Sequence, residues 1–203
     1  MDHYSLSRTL SGLICCSFII VRLYFTVRYR DKTDPDKKIK APADQEGRLS
    51  YMLRRMIFLP LILIFTWSYF IFNPSWMKSF TLPLPEIVLW ILTVIAFMAI
   101  AFLIWVHIYL GKEWSASLKI REGHQLIISG PYSKIRHPMY TALFTIYLSF
   151  ALVSGNLLII VPTILAIISL AVRVKKEEDV LITEFGDQYR NYMLHTGRFF
   201  PRF

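Results

Sequence analysis

Between His124 and Tyr140 the chain reads HQLIISGPYSKIRHPMY. Two imidazoles, two cationic side chains, two phenols and a Gly-Pro turn stand there between long apolar regions. Polar groups beside a membrane segment are costly unless they face water or a ligand, so this stretch is the first candidate for chemistry. The turn at Gly130-Pro131, followed by Tyr132, Arg136, His137 and Tyr140, puts donors, an aromatic face and freed backbone groups into one compact segment. Such a segment suits a polar, adenine-bearing cofactor held at a membrane surface. A second cluster runs Arg173, Lys175, Lys176, Glu177, Glu178, Asp179. Arg173 and Glu177 are spaced i,i+4 and share a helical face. Taken alone that pair reads as an exposed ion pair anchoring a helix end; a polar site opposite it would change the balance.

Other chemistries find less support. Cys15 and Cys16 are adjacent inside an apolar run, which gives neither a disulfide framework nor a metal-ligand spacing. His107, Glu113 and His124 have no metal-like spacing, and no metal site is expected. There is no GxGxxG, no GxxxxGK[ST] and no alternation of strand and helix patterns, so a Rossmann domain is not expected to hold a nucleotide. Taken singly, Arg136-His137-Pro138 also reads as a positive flank with proline at a helix start.

The elements that must position these residues are membrane helices. The 203 residues are 55% hydrophobic with a mean hydropathy of +0.45, which points to an all-α integral membrane protein. The formal charge of +9 sits in short segments flanking apolar runs, a pattern of membrane topology rather than of nucleic-acid binding. Apolar runs at 10–27, 52–72, 86–110, 139–154 and 156–172 predict five spans, the last two joined by a turn at Gly155-Asn156. No signal-peptide pattern opens the chain, so the first run is expected to remain a helix. Gly111 is expected to end the third run, and the charged tail reads as helical to about Leu194. Lys and Arg number nine in 28–55, five in 111–136 and six in 173–203, against one in 73–85 and none at 155–156. That asymmetry predicts an outside N-terminus, with the basic loop at 28–50, the connector at 111–137 and the C-terminal tail all cytoplasmic. Two regions follow: three N-terminal helices over 1–110, and a catalytic region over 111–203 made of connector, helical hairpin and tail.

His124-Gln125-Leu126-Ile127-Ile128-Ser129-Gly130-Pro131-Tyr132, then Arg136-His137-Pro138-Met139-Tyr140, resembles the HxLxxxGxYxxxRHPxY motif of the isoprenylcysteine carboxyl methyltransferase family. EEDVLITEFGDQYRNY, from Glu177 to Tyr192, is similar to that family's EExxLxxxFGxxYxxY block. The resemblance covers residues from about 105 onward and departs at Thr141, where the family often has glycine. It implies a membrane-embedded enzyme that moves a methyl group from S-adenosylmethionine to the carboxylate of a prenylated cysteine, leaving S-adenosylhomocysteine. By motif, His124, Gln125, Leu126, Ile127, Gly130, Tyr132, His137, Pro138, Met139 and Tyr140 would line the cofactor site, and Glu177 would complete it. Arg173 would bind the acceptor carboxylate, so that Arg173 and Glu177 form the catalytic pair. A sulfonium methyl is already activated and a carboxylate is already nucleophilic at neutral pH, so the implied reaction asks for alignment and exclusion of water more than for a base. The acceptor would enter from the bilayer.

Three alternatives stay open on sequence. A methyltransferase for phospholipid amines or other small lipophilic acceptors would keep the cofactor site but need no Arg173. An NADPH-dependent sterol-type reductase shares an RHxxY flavour. A non-catalytic membrane scaffold or transporter would use the polar residues as anchors.

Overall fold

The structure, a computed structural model, describes residues 3–29, 57, 59–72, 74–111 and 126–202. His124, Gln125, Glu113 and nearly all of the basic loop expected at 28–50 lie outside the described residues. The described chain forms α1 (His3–Arg28), α2 (Leu59–Trp67, continued by a π-helical turn to Phe72), α3 (Glu86–Leu110), α4 (Pro138–Ser154), α5 (Leu157–Phe185) and α6 (Asp187–His195). A single helical turn at Ser75–Lys78 and a 3₁₀ turn at Gly130–Ser133 lie in the connections.

The chain is therefore all-helical among its described residues, as its apolar runs require. Tyr4–Arg28, Glu86–Leu110 and Leu157–Phe185 are long and apolar enough to cross a membrane. Pro60–Phe72 and Pro138–Ser154 are shorter apolar helices, so the five runs of the sequence appear as three helices of spanning length and two that fall short of it. Ile87, Trp90, Ile91, Val94 and Met98 all point outward from α3, the surface that an apolar solvent requires.

The core is shared by α1, α3 and α4. Leu6, Leu10 and Ile14, successive i,i+4 positions of α1, meet Leu89, Ala96, Ile100 and Leu103 of α3 and Ala142, Leu143 and Ile146 of α4. Alanines at 96, 99 and 142 let the backbones approach, which is how helices gain packing where lipid offers no hydrophobic drive.

One end of the bundle is fastened by polar groups. Gly155, at φ +63°, turns α4 into α5, and a Cβ there would stand 3.0 Å from the Leu82 carbonyl oxygen. Asn156 caps α5 by accepting from Leu158 N at 3.0 Å, and its amide donates to the Met77 carbonyl at 2.9 Å. Leu82 N donates to Gly155 O and Leu157 N to Phe80 O, while Ser7 of α1 donates to Val153 O at 2.8 Å. Residues 74–85 of the cation-poor segment, the 155–156 turn and the start of α1 thus meet at the same end of the bundle, in keeping with the Lys and Arg count.

At the other end the helices deliver the chemistry. Gly111 ends α3 as expected, at φ +50°. With 29 residues α5 is about 43 Å long, more than the ~30 Å of a hydrocarbon layer, so its charged half from Arg173 onward extends past the apolar part. The helical tail is not continuous to Leu194: Gly186, at φ +55°, breaks it, and α6 starts afresh at Asp187. A residue in the left-handed region cannot propagate a right-handed helix, and only glycine enters that region freely.

Asn156 supplies two separable interactions. Asn156→Ala is expected to cost about 2–3 kcal/mol through the lost cap and the stranded Met77 carbonyl, and Asn156→Asp, which keeps the cap but turns a buried carboxylate oxygen on that carbonyl, at least as much. Thermal unfolding of the detergent-solubilised variants measures both.

Candidate active site

The segment after the Gly-Pro turn is shaped by its own backbone. Gly130, at φ +58°, opens the 3₁₀ turn, and a Cβ there would lie 2.4 Å from the Tyr109 ring, so the end of α3 sets how close the connector runs. Ser133 Oγ donates to Gly130 O at 2.7 Å. Tyr132 is buried, and its carbonyl accepts from the Tyr192 hydroxyl of α6. Burial pushes the Tyr132 phenol far above its ordinary range, with Glu177 and Tyr192 adding to the effect. Desolvation likewise raises Tyr189 and Tyr192, so all three phenols stay protonated at neutral pH, and the Tyr192 hydroxyl donates to the Tyr132 carbonyl.

The organising group is Glu178, whose side chain is 3% exposed. Its Oε1 accepts from Arg136 Nε at 3.0 Å and lies 3.3 Å from His137 Nε2, while Oε2 meets the Arg198 guanidinium. Arg136 also donates through Nη1 to the Met193 and Thr196 carbonyls, at the helix end where carbonyls lack intrahelical partners. A carboxylate, two guanidinium groups and an imidazole thereby join α5, the connector and the tail. His137 precedes Pro138 at the first position of α4, where proline's missing N–H is harmless.

One residue earlier on α5, half-buried Glu177 accepts from the Tyr140 hydroxyl at 2.7 Å. The rings of His137, Tyr140, Phe144 and Phe199 form an aromatic corner beside it, with neighbouring centroids 5.4 to 6.4 Å apart.

Of the residues singled out in the sequence, the structure brings Gly130, Tyr132, His137, Tyr140 and Glu177 to this end of the bundle. Arg173 stands one turn before Glu177 on α5, half-buried. Leu126 and Ile127 are half-buried in the connector, whereas Met139 packs against the apolar core and Pro138 is buried in the first turn of α4. His124 and Gln125 lie outside the described residues. The sequence reading did not single out Glu178 or Arg198, and it named Arg136 without a role. A signal for Glu178 was present: Ile159, Thr163, Ala166, Val174 and Glu178 continue one buried stripe at helical spacing. A carboxylate in that register requires a cationic partner. Among the described residues, no three His, Cys, Asp or Glu side chains are grouped so as to hold a metal ion.

The fold and this polar end define a polytopic α-helical membrane protein with an ionic cluster built from its connector and tail. Residues 90–183, just under half of the chain, match the model of the isoprenylcysteine carboxyl methyltransferase (ICMT) family. The structure aligns with that of the eukaryotic intramembrane Ras methyltransferase ICMT at a TM-score of 0.56 and 18% identity, covering 95% of this chain and 67% of the other, which shows a common fold. A curated relative, the nickel-cobalt-cadmium resistance protein NccN of Alcaligenes xylosoxydans xylosoxydans, is 28% identical over 93 residues. That match takes in 45% of this chain and 44% of the relative, so it spans less than half of that protein's length.

The two adjacent glutamates are expected to differ sharply. Glu178→Ala strands a buried guanidinium and imidazole and should destabilise the fold by about 3–5 kcal/mol, whereas Glu177→Ala removes one hydrogen bond and should cost about 1 kcal/mol. Chemical unfolding in detergent compares them.

Proposed function

We propose that the protein is an integral membrane methyltransferase that moves the methyl group of S-adenosylmethionine to the carboxylate of a lipophilic, prenylcysteine-like acceptor, forming a methyl ester and S-adenosylhomocysteine. The observation that carries the reading is the bond from Tyr140 to Glu177. It joins the end of the connector motif to the start of the tail motif beside the buried Arg136–His137–Glu178 cluster. The family match over 90–183 supports it, since that stretch contains both residues.

The side chains at this corner fit the proposed donor. A half-buried carboxylate at Glu177 suits a cationic cofactor, and the Tyr140 and Phe144 rings offer faces to a sulfonium or an adenine. His124, Gln125, Leu126, Ile127, Gly130, Tyr132, His137, Pro138 and Met139 complete the wall in this proposal. S-adenosylmethionine, when bound, supplies an activated methyl group.

The protein's own part is to bind, orient and exclude water. Arg173, one helical turn from Glu177, presents a planar fork that matches a carboxylate, which needs no base because it is ionised at neutral pH. Arg136 and His137, tied to Glu178, keep the connector against α5 so that donor and acceptor residues stay on one helix face. The acceptor's apolar part enters from the bilayer between helices. In this proposal α1 to α5 form five spans with the N-terminus outside and the polar end in the cytoplasm, 1–110 serving as the membrane frame and 111–203 as the catalytic region.

Purified protein is expected to bind S-adenosylhomocysteine with a Kd on the order of micromolar. It is also expected to methylate a prenylcysteine analogue in preference to phospholipid amines, with no competition from NADPH. Calorimetry and a methyl-transfer assay over lipophilic acids, prenylcysteine analogues and phospholipid amines test this. No binding of S-adenosylhomocysteine rejects the reading, and transfer only to amines moves it to the phospholipid alternative.

Within that assay the two α5 residues should separate. Arg173→Ala is expected to raise the acceptor KM about tenfold or more with donor affinity kept, and Glu177→Ala to weaken the donor by a similar factor. Equal donor affinity in wild type and Glu177→Ala rejects this division of roles.

A further inference from the structure

Beyond α6 the chain turns back along the connector as a bent strap, with the Phe200 carbonyl folded against Gly197. Gly197 N donates to Lys134 O at 3.2 Å, Arg136 N to Gly197 O at 2.8 Å and His137 N to Arg198 O at 3.1 Å. Thr141, the departure from the family's usual glycine, uses its hydroxyl to donate to Phe199 O at 2.7 Å. The Phe199 ring lies 5.4 Å from that of Phe144 and 6.4 Å from that of His137. The strap therefore supplies the partners of the two amides that lead into α4, and it covers the outer side of the aromatic corner.

A single side chain fixes the strap to the helix that carries the site. Arg198 is 43% exposed, yet its guanidinium reaches Oε2 of Glu178, which is 3% exposed. The other carboxylate oxygen holds Arg136 and His137. A surface ion pair is weak, but one whose acid is buried leaves an uncompensated oxygen when broken. Residue 198 also lies past the end of the family match at 183.

We infer that Arg198 is a positioning residue: by pinning the strap to Glu178 it holds Arg136, His137 and, through α4, Tyr140 in the geometry that receives the methyl donor. The inference rests on the methyltransferase reading for what that wall binds. Arg198 does not itself touch the donor or the acceptor. Its loss leaves the strap held to the connector and α4 without its tie to α5, so the amides of Arg136 and His137 open to water more often and the wall opposite Glu177 loosens. Lysine keeps the charge without the planar fork and restores part of the contact.

The test uses the full chain in detergent, as wild type, Arg198→Ala and Arg198→Lys. Hydrogen exchange is followed in peptides covering 134–141 and, as a control, 89–103 of α3; S-adenosylhomocysteine affinity is measured by calorimetry. In Arg198→Ala, exchange over 134–141 is expected to speed up about tenfold with α3 unchanged. The Kd for S-adenosylhomocysteine is expected to weaken by about tenfold, and Arg198→Lys to recover part of both effects. Unchanged exchange at 134–141, an equal rise in α3, or no recovery with lysine overturns the inference. So does faster exchange at 134–141 with undiminished affinity. If wild-type protein binds no S-adenosylhomocysteine, the methyltransferase reading fails by itself, and the exchange data and lysine recovery decide whether Arg198 positions this segment.

Discussion

A carboxylate sealed from water is the constraint on which the polar end of this molecule depends. Glu178 lies in the buried stripe of α5, and an ion in that position must be matched by charge and by hydrogen bonds. Arg136, His137 and Arg198 provide the match, and each belongs to a different piece of backbone from the one that carries Glu178. Such a cluster adds little net stability compared with apolar packing, because desolvation offsets much of the Coulomb attraction. Its value is geometric. The arrangement that satisfies the carboxylate is also the one that brings connector, α4, α5 and tail together, so Tyr140 reaches Glu177 as a consequence.

The opposite end is fastened by different means with a complementary result. There most contacts are neutral: a capping asparagine, a serine and tyrosine on carbonyl groups, and backbone bonds between Phe80 and Leu82 and the turn that opens α5, with the Arg8 guanidinium on the Phe70 carbonyl and Lys78 over the Tyr4 ring beside them. Neutral hydrogen bonds suit an end whose connections hold almost no cations. With one end clasped, α4 and α5 are registered against each other, and their far ends must arrive side by side. Gly155 makes that registration tight, since a side chain there would press on the Leu82 carbonyl. The spacing between Tyr140 and Glu177 is thus governed by a turn at the other end of the same two helices.

Much of this was legible in the sequence because hydrophobic runs and glycine positions are local signals. The limits of α3, the Gly155-Asn156 turn, proline at the start of α4 and the glycine that stops α3 follow from residue type alone. The pairing of cation-poor connections at one end follows from counting Lys and Arg. Less legible was the break at Gly186, since FGDQYRNY reads as helical whether or not the glycine turns. The choice between Glu177 and Glu178 was also hidden. Adjacent helix positions differ by about 100° in direction, and only the packing of α5 decides which carboxylate is buried.

The sequence by itself determined that the chain is a helical membrane protein, where its apolar segments begin and end, and that its polar chemistry collects near 124–140 and 173–192. Hydropathy, helix periodicity and turn chemistry suffice for that, because each is read within one segment. The tertiary structure decided which residues are partners: Glu178 with Arg136, His137 and Arg198, Tyr140 with Glu177, Thr141 with the Phe199 carbonyl. These contacts join residues 20 to 58 positions apart. No local pattern encodes them, since they exist only once burial makes an unmatched charge or amide too costly to leave alone.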